Sequence, residues 1–148
     1  MLYPMRNASV PDIAREALEI LDRDGWNKGS LTRLSDEGVP PAWLAYKTGS
    51  HCIAGAWNLA QHGHEGWDLN GVNYFPLYDM IKAQWPEYRS VNAECYAEML
   101  LVVPGLRISS FIACFISSFI ACFIADWNNA VETTETDVRT ILEKLAAG

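Results

Sequence analysis

The chain is short of basic residues. It contains 11 Lys and Arg against 18 Asp and Glu, so the formal net charge is −7. A protein that binds nucleic acid through its phosphates concentrates Lys and Arg on one face. The sequence has no such basic patch, which excludes that class of function. The acidic residues are scattered along the chain, and this argues against an acidic mimic of nucleic acid as well.

The cysteines do not occur in pairs, and the N-terminal residues do not predict a secretory leader. The four cysteines, at positions 52, 95, 114 and 122, form no Cys-x-x-Cys pair. Residues 1–7 contain no apolar stretch of the kind that a signal peptide requires. We therefore expect a cytoplasmic protein with free and buried thiols, because a reducing compartment keeps cysteines from pairing.

Common catalytic motifs are missing too. There is no Gly-rich phosphate loop, no Gly-x-Ser-x-Gly and no His-Glu-x-x-His. A small metal- or ligand-binding enzyme remains an alternative, through His51 beside Cys52 or through His62 and His64. Neighbours on a helix point about 100° apart, which disfavours a thiol–imidazole pair. The later histidines have no second ligand cluster. The sequence thus predicts no metal and no cofactor, and favours a protein without enzymatic activity.

What the chain does contain is a perfect repeat. The phrase Ile-Ser-Ser-Phe-Ile-Ala-Cys-Phe fills residues 108–115 and recurs unchanged in residues 116–123. Its Ile and Phe residues recur at the spacing of a helix, and eight residues advance the helical phase by roughly 80°. The two apolar stripes therefore cover most sides of a helix over 108–125, which suits the centre of a bundle. A membrane span is the weaker alternative and stays open at this stage, because the run is uncharged but holds four serines.

The rest of the chain predicts a mainly α, single-domain bundle of about six helices over residues 1–148. Half of the residues are hydrophobic, and the chain is long enough for one core. Ser9 and Thr134 are placed to cap the first and last helices, and Gly25 to end the first. Ser50 is expected to cap a second helix, over 51–61. Two further helices are expected over 76–84 and 91–103, and a short β-hairpin over 31–46 with strands at 31–34 and 43–46.

Three segments together resemble a family of short, uncharacterised proteins of actinobacteria and their phages. They are a helix that ends in Gly25-Trp26, a helix that begins His51-Cys52-Ile53-Ala54-Gly55-Ala56, and Trp127-Asn128-Asn129 before a Thr-capped last helix. The sequence departs from the family pattern by Asn129 in place of Asp, by a long insertion before His51, and by the repeat. The resemblance implies a small, mainly helical, cytoplasmic accessory protein with no established activity.

Two kinds of contact surface are candidates. Residues Trp127, Asn128 and Asn129 are expected in a turn, where Trp127 packs and an Asn satisfies helix-end backbone groups; the alternative is a recognition turn. Trp43 and Tyr46, in the long segment before the second helix, suit an interface with a protein partner. The apolar stripe of the repeat helix exceeds what short neighbours can cover. It therefore predicts a homodimer that uses Phe115, Phe119 and Phe123.

Overall fold

The computed structural model describes residues 8–28, 32–33, 49–62, 73–102 and 109–148, without side chains at 32–33, 96, 99–102, 109–115 and 117–118. Within these ranges the protein is mainly α-helical, as predicted. The described helices are α1 (Val10–Asp24), α2 (Ile53–His62), α3 (Phe75–Gln84), α4 (Val91–Val102), α5 (Ser109–Asn129) and α6 (Glu135–Ala146). Two very short strands, β1 (Thr32–Arg33) and β2 (Ser50–His51), lie between α1 and α2.

The first and last helices begin where the sequence predicts. Ser9 Oγ accepts a hydrogen bond from the Asp12 amide at 3.3 Å. Thr134 and Asp137 form a reciprocal capping box at the start of α6. Gly25 ends α1 with φ +91°, a left-handed value that glycine adopts without strain. These boundaries are set by residues within a few positions of each helix end.

The predicted start of α2 needs correction, and only the first strand of the predicted hairpin lies among the described residues. β1 lies at 32–33, inside the first predicted strand, but it pairs antiparallel with β2, so that Thr32 faces His51. The strand expected at 43–46 lies outside the described residues. Because Ser50 is in a strand, α2 starts at Ile53, and the prediction that Ser50 caps this helix is wrong.

The repeat helix α5 is central, as predicted, and longer than predicted at its C-terminal end. Residues 127–129, expected in a turn, belong to its last helical turn. α5 packs against α2, α3 and α4, while α1 packs against α2 and α6. The buried core includes Ile120, Phe123, Ile124 and Trp127 from α5, and every residue of α2 is buried. Among the residues that the structure describes, no helix combines the length and apolarity of a membrane span.

Candidate functional site

The side chain of Asn128 joins three distant segments inside the protein. Its Oδ1 accepts hydrogen bonds from the Ile53 amide at 3.0 Å and from Trp26 Nε1 at 2.7 Å. Its Nδ2 donates to the Asn27 carbonyl at 3.0 Å and to Asn129 Oδ1 at 3.1 Å. Asn128 is fully buried, so these bonds replace the water that its amide loses on folding. We call this set of contacts the Asn128 clasp.

The chain segments that meet at the clasp are also held together through their backbones. The His51 amide donates to the Gly25 carbonyl at 2.9 Å, and the Asn27 amide donates to the His51 carbonyl at 3.0 Å. Asn27 Nδ2 adds a bond of 2.6 Å to the Ser50 carbonyl. The stretch after α1 is thus fixed to β2, and through β2 to the start of α2.

Three ionisable side chains, Arg23, Asp24 and His51, lie next to the clasp. His51 Nε2 is 2.8 Å from Asp24 Oδ2, and Arg23 donates to both Asp24 oxygens at 2.8 and 2.7 Å. The His51 side chain is completely buried, whereas that of Arg23 is largely exposed. Burial alone would raise the pKa of Asp24, but the hydrogen bonds from Arg23 and His51 outweigh it and hold that pKa below its ordinary value. The carboxylate is therefore stabilised in its charged form.

Cys52 serves as a cap rather than as an exposed thiol. Its Sγ accepts a hydrogen bond from the Gly55 amide at 3.3 Å, which satisfies one of the free amides at the start of α2. Burial raises the pKa of the Cys52 thiol, although bonds from backbone amides oppose this change. A thiol with a raised pKa is a poor nucleophile, because the thiolate is the reactive form. His51 Nε2 is bonded to Asp24, and Cys52 Sγ is bonded to the Gly55 amide.

A second polar contact anchors the same end of α5. Asp126 accepts hydrogen bonds from Ser90 Oγ at 2.5 Å and from Asn92 Nδ2 at 3.2 Å. Ser90 Oγ also accepts from the Ala93 amide at 3.1 Å, which caps α4. Asp126 and Asn128 thus tie the last turn of α5 to two other helix starts, those of α4 and α2.

The structure brings together the three segments that carry the family resemblance. Trp26, Cys52 and Asn128 belong to different segments, and Trp26 and Asn128 are 102 positions apart in the sequence. The sequence places Trp127 in the core correctly, and that residue is fully buried. Asn128 does satisfy backbone groups at a helix end, but the helix is α2 and not its own. Asn129, by contrast, is exposed at the end of α5.

Several predicted site residues lie elsewhere. Trp43, Tyr46 and His64 are outside the described residues. His62 is buried at the end of α2. No group of three or more His, Cys, Asp or Glu side chains suited to a metal ion occurs in the part of the chain that the structure describes. Cys52, Cys95 and Cys122 are free of disulfides, as predicted, but Cys95 is exposed and not buried.

The apolar stripe of the repeat is divided between interior and surface. Phe123 is buried and packs edge-on against Tyr78 and Tyr88, with ring centroids 4.9 and 5.3 Å apart. Phe119 is half-buried and packs against Tyr78 at 6.0 Å. The side chain of Phe115 is outside the described part. The second copy therefore contributes mainly to the interior of its own chain, and self-association through it stays a prediction.

The sequence did not indicate Asn27 as a partner of Asn128, or Asp24 as a partner of His51. Neither residue belongs to a linear motif. The order of the Gly-Trp, His-Cys and Trp-Asn segments was the available signal. Their contact in space was not deducible, since nothing in the sequence fixes which segments meet.

Comparison with known proteins places the chain within a family but gives no activity. Neither the curated proteins nor the solved structures include a match to it. One family model matches residues 5–148, and thus all of the elements described above. The chain therefore belongs to DUF6197, a family of unknown function.

Proposed function

We propose that this is a non-enzymatic accessory protein of bacterial or phage origin that acts in the cytoplasm by binding proteins, first of all a second copy of itself. Free thiols support the compartment. The residues that suggested an enzyme support the non-enzymatic part of the proposal. Cys52 caps a helix with a thiol of raised pKa, and His51 is paired with Asp24 inside the protein.

One observation carries the self-association. Ile116, Ile120, Ile124 and Trp127 lie on one stripe of α5, at spacings of four, four and three residues. Ile124 and Trp127 are fully buried and Ile120 is 5% exposed, but Ile116 is 40% exposed. The stripe thus runs out of the core of its own chain and continues onto the surface. Exposed continuations of an apolar stripe are typical of contact sites.

A second copy of the chain is the simplest occupant of this surface. In a two-fold dimer the same patch meets itself, so that one exposed apolar end is covered by its equivalent. Phe123 packs against Tyr78 and Tyr88 inside the chain, which favours a dimer contact centred on Ile116. Ile116 lies in the first position of the second copy, which keeps the contact within the repeat.

Sedimentation equilibrium without detergent tests this proposal. The wild type is expected to form a dimer, and Ile116→Glu to form a folded monomer, because the charge would be buried at the contact. Val131→Glu is the matched control, since Val131 is 92% exposed in the turn after α5, far from Ile116. A wild type that stays monomeric over a wide concentration range would contradict the proposal. Dissociation by both variants alike would contradict the assigned surface.

A second candidate surface is the segment with Trp43 and Tyr46. The chain departs after Arg33 and returns at Gly49, and Arg33 pairs with Ser50 in the two-stranded ladder. Arg33 is therefore held beside Ser50, and β2 is fixed to α1, α2 and α5 by the contacts around the Asn128 clasp. A long segment presented from a rigid base is a common carrier of recognition residues. This favours binding of a protein partner through Trp43 and Tyr46.

Affinity capture from a bacterial lysate, followed by binding measurements with the purified candidate partner, tests this surface. The partner is expected to bind the wild type and to lose at least tenfold in affinity for a Trp43→Ala, Tyr46→Ala variant. Phe75→Ala is the control, because Phe75 is an exposed aromatic residue at the start of α3. Equal losses in both variants would assign no role to the segment.

A further inference from the structure

Two tight turns, residues 85–88 and 130–133, lie near the C-terminal end of α5. In each turn the amide of the last residue donates to the carbonyl of the first at 3.1 Å. Glu87 therefore lies at the tip of the first turn, and Val131 and Glu132 form the tip of the second. All three of these side chains are exposed.

Aromatic packing attaches both turns to the same part of α5. Trp85 packs edge-on against Trp127, with ring centroids 6.2 Å apart, and Tyr88 packs against Phe123 at 5.3 Å. In the second turn, Thr133 Oγ1 donates to the Trp127 carbonyl at 2.6 Å. The two turn tips are therefore presented from one fixed base, the last two turns of α5.

The surface between these turns holds the most exposed large apolar side chains of the described part of the chain. Val131 is 92% exposed and Val91 is 72% exposed. Val91 stands between Ser90 and Asn92, which both bond to Asp126. Apolar side chains that are exposed together mark contact sites. We call this surface the Tyr88 face, and it consists of Glu87, Tyr88, Val91, Asp126, Val131 and Glu132.

Negative charge dominates at the centre of the Tyr88 face. Burial, and then the charges of Asp126 and Glu132, raise the pKa of Tyr88 to about 12. A carboxylate has this effect because it opposes ionisation of a nearby phenol. Both carboxylates therefore lie close to the Tyr88 hydroxyl.

The cations at this end of the protein already have partners. Arg89 donates to both carboxylate oxygens of Glu94, at 2.7 and 3.1 Å, and Lys28 donates to a backbone carbonyl at 2.6 Å. Lys82 lies 5.6 Å from the centre of the Phe123 ring. By contrast, none of the three carboxylates of the Tyr88 face is bonded to a cationic side chain of the described part of the chain. The face thus combines unbalanced negative charge with exposed apolar surface.

We propose that the Tyr88 face binds a segment of another protein in which arginine stands next to an aliphatic residue. Arginine fits because its guanidinium bonds to carboxylates through parallel N–H groups and stacks on aromatic rings. The aliphatic neighbour covers the exposed valines. A second copy of this chain is a poor occupant, since it brings its own net charge of −7. The inference rests on the proposed function in protein binding, but not on self-association through Ile116.

NMR titration of the isotope-labelled full chain with synthetic peptides tests the inference. The probe is the peptide Gly-Leu-Arg-Leu-Arg-Gly with blocked ends, and its amide shifts are expected to concentrate at residues 85–92 and 126–133. Citrulline in place of both arginines keeps the shape and removes the charge, and should weaken binding at least tenfold. Glycine in place of both leucines should weaken it at least threefold. Absence of binding by the first peptide, or equal affinity for either altered peptide, would overturn the inference.

Charge reversal in the protein separates a specific surface from general attraction. Glu132→Lys is expected to weaken binding of the arginine peptide at least tenfold, and Val131→Ser at least threefold. Glu143→Lys is the matched control, because Glu143 is exposed on α6 and the substitution changes the net charge by the same amount. It should leave the affinity within twofold of that of the wild type. Equal losses in Glu132→Lys and Glu143→Lys would overturn the inference.

A comparison with Ile116→Glu keeps this inference apart from the proposed dimer. Ile116 lies ten residues before Asp126, roughly 15 Å along the helix, so the variant is expected to bind the peptide as the wild type does. A wild type that is monomeric in sedimentation and still binds the peptide would support the Tyr88 face and contradict the dimer. A dimer that does not bind the peptide would overturn the Tyr88 face alone.

Discussion

Helices α1 and α6 differ from α2 and α5 in where their ends are determined. α1 and α6 are capped by Ser9 and Thr134, each through a residue three positions along the chain. α2 starts at Ile53, whose amide is satisfied by Asn128, 75 positions away. Local side chains are sufficient to begin the first pair of helices. α2 has a local cap as well, at Cys52, but its first amide depends on a contact that exists only after the chain has folded.

This difference predicts where the protein is most sensitive to substitution. A local cap bonds one or two exposed backbone groups, which water can satisfy when the cap is removed. The Asn128 clasp bonds groups that are buried, and removal of the side chain leaves them without water as well as without a partner. Loss of a hydrogen bond should therefore cost more stability in the Asn128 clasp than at a local helix cap.

The largest effect is expected for Asn128→Ala. It leaves the Ile53 amide, Trp26 Nε1 and the Asn27 carbonyl unsatisfied, and should lower the free energy of unfolding by about 3–5 kcal/mol. Urea denaturation followed by circular dichroism measures the loss. Asn129→Ala is the matched control, because Asn129 is exposed, and should cost under about 1 kcal/mol. Similar losses in both variants would remove the distinction between the two regions.

A smaller effect is expected for Asp24→Asn, which weakens the contacts to His51 and Arg23. Loss of a charge-assisted hydrogen bond should lower the free energy of unfolding by about 2 kcal/mol at pH 7. Asp22→Asn is the control, since Asp22 is mostly exposed and pairs with Arg139 on the surface. If Asp22→Asn lowered the free energy of unfolding as much as Asp24→Asn does, burial of the Asp24–His51 contact would have no special role.

The pH dependence of the Asp24 effect follows from its lowered pKa. A carboxyl whose pKa is lower in the folded than in the unfolded chain contributes stability above its unfolded pKa and loses it as the pH falls. The ordinary value for Asp24 is 3.8. The contribution of the Asp24 carboxylate to the stability difference between wild type and Asp24→Asn should therefore be lost as the pH falls below 3.8. A difference that grows on acidification would contradict the assigned sign.

A still smaller effect is expected for Thr134→Ala, which removes one half of the capping box of α6. Loss of such a cap typically costs about 1 kcal/mol. Thr136→Ala, in the exposed first turn of the same helix, should change stability by less than about 0.5 kcal/mol. Thermal denaturation of the three proteins side by side gives the comparison, and a Thr134→Ala loss as large as that of Asn128→Ala would break it.

The reactivity of the cysteines should differ between the two regions, and this can be measured without any substitution. Cys95 is exposed on α4, whereas Cys52 is buried under the clasp with a raised pKa. A thiol reagent should therefore modify Cys95 in the native protein, and Cys52 only after denaturation. Peptide mapping by mass spectrometry identifies the modified residue. Rapid modification of Cys52 in the native protein would reopen the alternative of a reactive thiol.

The same contrast explains what the sequence predicted and what it missed. The caps at Ser9 and Thr134 and the end of α1 at Gly25 were predictable, because each pattern lies within a few residues. Ser50 was assigned to the wrong element, because the pairing of β2 with β1 and with the stretch after α1 is invisible to a local pattern. The sequence predicts a turn where the last helical turn of α5 lies, since Asn residues are common in turns.

For the Asn128 clasp too, local features were predictable from the sequence and distant contacts were not. The sequence predicts that an Asn side chain of Trp127-Asn128-Asn129 satisfies helix-end backbone groups, and Asn128 does so for α2. It did not indicate which helix end, because Ile53 and Trp26 are far away along the chain. The burial of Cys52 was predictable from its residue type, and the exposure of Cys95 was not.

Amide exchange at Ile53, resolved by NMR, tests most directly that the clasp determines the start of α2. The Ile53 amide is bound by Asn128, whereas the Gly55 amide of the same turn is bound by Cys52. In Asn128→Ala, exchange at Ile53 is expected to accelerate at least tenfold more than exchange at Gly55, because global destabilisation affects both equally. Equal acceleration of the two amides would show that the start of α2 does not depend on Asn128.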